Sequence, residues 1–309
     1  MNDAQPLINI AICSCQRPRL LSQALGSLAA MQRPHGIRLL ISVIDNDRDG
    51  SARPVFDQWA PHFGDELVYQ LERKRGIPCA RNNAIDVAHE HGADYLIFID
   101  DDEWVEPNWL CELYGYAIQL GGQAVVHGGV VPELPEGAPA YMREIFFEKR
   151  RATGTELGSC ATNNVLIPIF VTRDLALRFD ESRPLAGGTD TIFFCAAVER
   201  GVKIFECADA RVHEEIPLSR LSSRWLAKRK YRAGITLARR KRAAGRTVTS
   251  LLFSSIVQIA MYALLALLAR ISFLPVPYYK ALMKLSRSVG VLSGLFGAEA
   301  DSYKEIEGA

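Results

Sequence analysis

Four short apolar runs, each closing on polar or acidic residues, constrain this chain most. They are INIAIC (8–13), IRLLISVID (37–45), ELVYQL (66–71) and DYLIFID (94–100). Runs of this length, rich in β-branched residues and bounded by turn chemistry, read as buried strands. The segments between them carry helical spacing. Leu20, Leu21, Ala24, Leu28 and Met31 share one face, 77–92 reads as a helix with a Gly stop, and 107–120 reads as a helix with Pro107 near its first turn. NDRDGSARP (46–54) is turn chemistry. Strands alternating with helices predict an α/β fold, a mainly parallel sheet covered on both faces. Beyond residue 121 the pattern loosens. Strands are expected at 123–131 and 163–170, with a long polar excursion between them. A helix is expected at 190–201, then two short strands in KIFEC and ARVH. Loops over the carboxyl ends of such a sheet are where binding groups gather.

The fourth run ends in Asp100, Asp101, Asp102 and Glu103. If the strand's alternation continues, Asp100 and Asp102 face one way and Asp101 the other. Two carboxylates together are hard oxygen donors suited to Mg²⁺ or Mn²⁺, which keep open positions for substrate phosphates. A calcium loop is excluded, because Trp104 and Val105 stand where that loop needs Asp or Asn and Gly. Acids clustered before a helix are the alternative. Asp45 closes the second strand, where a carboxylate can hold a ribose or base. The first strand opens into CSCQRP without a glycine-rich loop, so neither a dinucleotide fingerprint nor a P-loop is present. Phosphates would then depend on the cation.

Five segments in one order carry a resemblance: INIAICSCQRP, SVIDND (42–47), RGIPCARNNAI (75–85), FIDDDEWVEPNWL (98–110) and LAGGTDTIFF (185–194). Across roughly residues 7–235 the chain resembles the inverting family 2 glycosyltransferases, with the A-type nucleotide-sugar fold. Among them it is most similar to bacterial exopolysaccharide enzymes of the succinoglycan-biosynthesis type. The resemblance implies a UDP-sugar donor and Mn²⁺ or Mg²⁺. It implies that Asp45 contacts uridine near Gln16 and Arg17, and that Arg81 helps hold the nucleotide. Asp100, Asp101 and Asp102 match the D-x-D element, with Asp102 the direct metal ligand. Asp190 matches the general base, although Thr189 stands where Glu is common; its alternative is a helix N-cap. His213 is implied as a metal or diphosphate ligand. SSRW (222–225) resembles the end of an acceptor motif, which makes Trp225 an acceptor-side candidate. Leu221 replaces that motif's Gln, so one sugar per acceptor is expected rather than a polymer.

Charge divides the chain. Residues 1–215 hold 20 Lys and Arg against 31 Asp and Glu, whereas 216–298 hold 15 Lys and Arg and no acid. The expected organisation is a catalytic domain at 1–215, a basic helical connector at 216–246, membrane-associating helices at 247–298 and an acidic tail at 299–309. Residues 247–269 carry no charge. As a helix they would extend about 34 Å against a hydrocarbon core of about 30 Å. Basic residues on both flanks suit an anionic membrane surface, and the charge-free segment between them argues against nucleic acid as the partner. They leave open a true span, a half-inserted hairpin and an interfacial pair. Lys280, Lys284 and Arg287 mark one face of a further amphipathic helix. Seven scattered cysteines without a C-x-x-C pair read as reduced thiols, and the first apolar run lacks the basic segment of a signal peptide. The expected location is the cytoplasmic face of the inner membrane, with a lipid-linked saccharide as acceptor. Two rival classes are a sugar nucleotidyltransferase, which would bring a glycine-rich first loop, and an inactive membrane adaptor of the same fold.

Overall fold

The structure is a computed structural model that describes residues 5–147, 151–182, 184–185, 187–243 and 245–298. The acidic tail lies outside the described residues. The elements run β1 (Leu7–Ser14), α1 (Pro18–Ala30), β2 (Arg38–Asp45), α2 (Arg53–Phe63), β3 (Leu67–Leu71), α3 (Ile77–Glu90) and β4 (Tyr95–Asp100). Then follow β5 (Glu103–Val105), α4 (Trp109–Gln119), β6 (Val125–Glu133), α5 (Ala140–Phe146), β7 (Val165–Pro168), α6 (Phe170–Arg173), α7 (Thr189–Glu199) and β8 (Ile204–Glu215). The chain continues through α8 (Ser223–Ala243), α9 (Val248–Ile271) and α10 (Pro275–Leu295).

The eight strands form one sheet in the order β3-β2-β1-β4-β7-β6-β8-β5. The first four are mutually parallel, while β7 and β5 pair antiparallel with their neighbours. This is the mixed, mainly parallel α/β sheet that the alternating runs predict. Strands β1 and β2 are buried almost throughout, as strands covered on both faces must be. On one side Leu21, Leu25 and Leu28 of α1, Phe63 of α2 and Trp109 of α4 pack on the sheet. On the other, Ile85 of α3 and Phe193 and Phe194 of α7 do so. The chain steps outward from β1 to β2 and β3, then returns to place β4 on the other side of β1. Such a reversal leaves a crevice at the strands' carboxyl ends. Cys13 of β1 sits in register with Asp100 of β4 beside that crevice.

Several boundaries differ from expectation. KIFEC and ARVH belong to one strand, β8, whose break in register falls opposite Gly128 and Gly129 of β6. Turn residues 46–52 lead into α2, whose Pro54 occupies the first helical turn rather than ending the turn segment. Pro107 precedes α4 instead of lying within it. The polar excursion contains α5. Glu103, buried, starts the short strand β5 directly after the turn at Asp101 and Asp102.

The C-terminal helices are stacked in sequence. Helix α10 packs on α8 and α9 packs on α10. The α8–α10 seam depends on close backbone approach. A Cβ at Gly234 would run into the Arg287 carbonyl, and one at Gly290 would run into the Tyr231 carbonyl. Pro275 and Pro277 stand in the first turn of α10, where a missing N–H costs nothing.

Candidate active site

A cavity of about 700 Å³ opens over the carboxyl ends of β1 and β4. Asp100, Asp101 and Asp102 all line it. The expected alternation of their faces does not hold. Strand β4 ends at Asp100, and a turn carries the next two residues to the same side. Asp101 accepts a hydrogen bond from Ser14 Oγ at 2.8 Å and an ion pair from Arg17 Nη1 at 2.9 Å. The same Arg17 nitrogen lies 3.4 Å from Asp102 Oδ2, and Arg220 Nη2 lies 3.5 Å from it. Arg220 also binds Glu214 Oε1 at 2.6 Å. Asp100's own N–H donates to Glu103 Oε2 at 2.9 Å. Asn163 Nδ2 donates to the other Glu103 oxygen at 3.0 Å.

Burial and crowding set the protonation of this cluster. Burial, with Asp102 nearby, pushes the Asp100 carboxyl up to about 7. Burial pushes Asp101 up to about 6 against the opposing pull of Arg17. Glu103 and Glu214 are raised for the same first reason, with Asp100 and Asp102 respectively as the like charges that add most to it. Cys13 and Cys15 line the cavity too, but burial lifts them to about 12 and about 11, so they stand there as neutral thiols.

Arg81 is buried on α3, reaches the cavity, and holds its guanidinium 5.5 Å above the Phe179 ring. Asp190 lines the cavity at the second residue of α7. The N-cap is Gly188, at φ 87°, so Asp190 is not the cap. Its Oδ1 accepts the N–H of Thr191 at 2.7 Å. Trp225 also lines the cavity, with the guanidinium carbons of Arg220 and Arg229 at 5.6 and 5.3 Å from its ring centre.

Three predicted residues do not reach the cavity. Asp45 is fully buried, and its carboxylate accepts the N–H of Asp47 at 3.0 Å, the N–H of Ala52 at 2.7 Å and the hydroxyl of Tyr69 at 3.0 Å. It therefore shapes the loop after β2, whose Asn46 does line the cavity. Gln16 is exposed and donates to Asp47 Oδ1 at 3.1 Å. His213 lies on β8, stacked 5.5 Å from Trp104, with its ring nitrogens on Glu133 (2.6 Å) and Glu106 (3.2 Å). Alternation along β8 gives the cavity face to Glu214 instead.

With this geometry in view, the family model described as Glycosyl transferase family 2 matches residues 9–173, from β1 to the end of α6. The chain belongs to that family. It is 36% identical over 234 residues to succinoglycan biosynthesis protein ExoM of Rhizobium meliloti (strain 1021), covering 75% of this chain and 74% of that one. Among solved structures, S. aureus TarS 1–349 in complex with UDP-GlcNAc superposes with a TM-score of 0.53 at 14% identity, covering 97% of this chain and 95% of that one. The same fragment in complex with UDP gives 0.52 at 14%, covering 94% and 92%. Against the longer S. aureus TarS chain the TM-score is 0.54 at 14% identity; 93% of this chain matches 55% of that one. These likenesses establish the A-type glycosyltransferase fold.

This family 2 glycosyltransferase extends its cavity beyond the expected catalytic boundary at residue 215. Lys228, Arg229, Lys230, Arg232 and Arg240 of α8, with Arg287 of α10, form one wall. Thr236 Oγ1 donates to the Gly187 carbonyl at 3.3 Å, tying α8 to the loop before Asp190. Lys228, Arg232, Thr236 and Arg240 recur every fourth residue, a single helical stripe. That spacing was the legible signal for this wall. Glu214 and Thr162 also line the cavity without any motif to announce them.

Proposed function

We propose that this chain is a metal-dependent, inverting hexosyltransferase. It moves glucose or another hexose from a UDP-sugar to a membrane-bound, lipid-linked saccharide in exopolysaccharide synthesis. The observation that carries this reading is the single cavity at the β1/β4 crevice. It gathers Asp100, Asp101, Asp102, Arg81 and Asp190. The nucleotide complexes of the TarS fragment support the donor class, and the name of the R. meliloti relative supports the product class.

Mn²⁺ or Mg²⁺ fits the donors present. Asp100 and Asp102 offer hard oxygens to one cavity, and their repulsion helps raise Asp100. His213 is outside that set. When bound, the cation supplies Lewis-acid stabilisation of the departing diphosphate. The protein's own groups do the rest. Arg17 and Arg220 hold Asp101 and Asp102 in place. Arg81 offers a buried positive charge to the nucleotide. Asp190 accepts the acceptor hydroxyl's proton as that oxygen attacks the anomeric carbon from the face opposite UDP. One displacement inverts the configuration. Trp225 offers its ring to the acceptor sugar. The catalytic unit then runs through α8, and 247–298 seat it on the cytoplasmic face of the inner membrane.

The test is transfer from UDP-glucose and other UDP-hexoses, with Mn²⁺ and a bacterial lipid extract, followed by the anomeric proton coupling of the product. An α-linked donor should give a β-linked product. A retained configuration, or no metal-dependent UDP binding by calorimetry, would refute the reading.

A further inference from the structure

Residues 162–164 turn from the polar excursion into β7, and two of their three side chains are tied down. Asn164 is fully buried at φ 51°, in the left-handed region that Asn enters more readily than most residues. Its Oδ1 accepts from Trp109 Nε1 at 2.7 Å, and its Nδ2 donates to the carbonyls of Gly129 at 2.9 Å and Ala210 at 2.8 Å. Asn163 Nδ2 donates to Glu103, whose other oxygen holds the Asp100 N–H. Thr162 is the exception. It is 1% exposed and lines the cavity, yet among the described residues its Oγ1 finds no hydrogen-bond partner. A buried hydroxyl left without a partner costs free energy, and Val would fill the same place without that cost.

The place of this turn identifies what meets the hydroxyl. One end of the segment leans on α7, where the Cys195 thiol donates to the Gly158 carbonyl at 3.8 Å. Burial lifts the Cys160 thiol well above its usual range, and Asp190 adds to the rise. The other end is bound through Asn163 and Glu103 to Asp100. Thr162 thus belongs to a bridge between the base of the proposed mechanism and the carboxylates of its cation site. In a single displacement the transferred sugar lies between those two, with the departing diphosphate on one side and the attacking hydroxyl on the other.

We propose that Thr162 is a specificity-determining residue of the donor site, whose hydroxyl pairs with one ring hydroxyl of the hexose being transferred. This rests on the hexosyltransferase reading and names, within that site, a residue that reads the sugar rather than the nucleotide. One staggered step about χ1 turns Oγ1 toward the ligand while Asn163 and Asn164 keep the turn fixed. The pairing removes the cost carried in the empty protein. A donor without the matching hydroxyl leaves the Thr162 hydroxyl buried and unpaired again, and is rejected for that reason.

The test uses the full chain in neutral detergent with Mn²⁺. Calorimetry measures UDP, then UDP-glucose and UDP-galactose with the monodeoxy analogues of each. Thr162→Val should weaken the tighter of the two hexose donors about tenfold while UDP affinity stays within about twofold. One monodeoxy analogue of that donor should lose about tenfold on wild type, and that analogue alone should bind Thr162→Val as well as it binds wild type. Thr162→Ser, which keeps the hydroxyl, should stay within about threefold of wild type. The empty Thr162→Val protein should melt at or above the wild-type temperature, because it sheds a hydroxyl that has no partner. Equal loss of UDP and hexose affinity, the same penalty for every analogue, or a lower melting temperature overturns the proposal. Unchanged donor affinity with slowed transfer gives the hydroxyl to the acceptor and overturns it too. If UDP binds and these contrasts fail, the proposal alone falls. If UDP itself fails to bind wild type, the donor reading falls and the proposal falls with it.

Discussion

Asp100 is the residue whose state depends most on what fills the cavity. Burial, chiefly, pushes its carboxyl up to about 7 and that of Asp101 up to about 6, from the ordinary 3.8. A carboxyl raised by folding stabilises the fold below its ordinary pKa, and that contribution is lost as pH rises through the raised value. The melting temperature should therefore fall between about pH 4 and 7 and level off above, and Asp100→Asn should flatten that fall. Nucleotide binding should show the opposite slope. A cation needs the ionised carboxylate, so Mn²⁺–UDP affinity should rise about tenfold from pH 6 to pH 8 in wild type. Calorimetry at several pH values checks this. Affinity that is flat across the range would remove Asp100 from the metal site.

At the scale of elements, the site depends on how α8 meets the loop before α7. Gly188 has φ 87°, and a Cβ there would come within 2.6 Å of Thr236 Cγ2. Gly188→Ala should cost about 1–3 kcal/mol in denaturant unfolding and should lower kcat more than donor KM, because Asp190 follows two residues later. An unchanged kcat would show that α8 does not position the base. Much of this architecture was legible beforehand. The four apolar runs became β1 to β4, and the DDD segment and Asp190 reached one cavity. What was not legible depended on contacts distant in sequence. Asp45 looks like a ligand at a strand end, but Tyr69 and two backbone N–H groups occupy its oxygens. His213 and Glu214 differ only by strand face, which a break in register at Gly128 and Gly129 helps set. The stripe on α8 was visible as charge, but the turn of that helix over the sheet was not.

For the whole molecule, the acid-free stretch 216–298, about a quarter of the chain, has two faces. Its basic stripe faces the cavity, and its apolar helix faces outward. Among the described residues, α9 is the one helix long and apolar enough to cross a membrane. It packs along α10, which packs on the wall of the site. Phe253 is 73% exposed and Leu264 57%. Burying side chains of this size in a bilayer contributes about 1.5–3 kcal/mol each. The double variant Phe253→Lys/Leu264→Lys should lower binding to vesicles of phosphatidylglycerol and phosphatidylcholine by at least about tenfold, with UDP affinity unchanged. Equal flotation of variant and wild type would place the membrane contact elsewhere. On the proposed reading, sugar transfer occurs in the β1/β4 cavity with Asp190 as the base. Its most direct measurement is single-turnover UDP release by wild type and Asp190→Asn, with UDP affinity measured on the same samples. The rate should fall about 10²–10⁴-fold while UDP affinity stays within about twofold. A rate within about threefold of wild type would contradict the assignment of Asp190, and with it the mechanism.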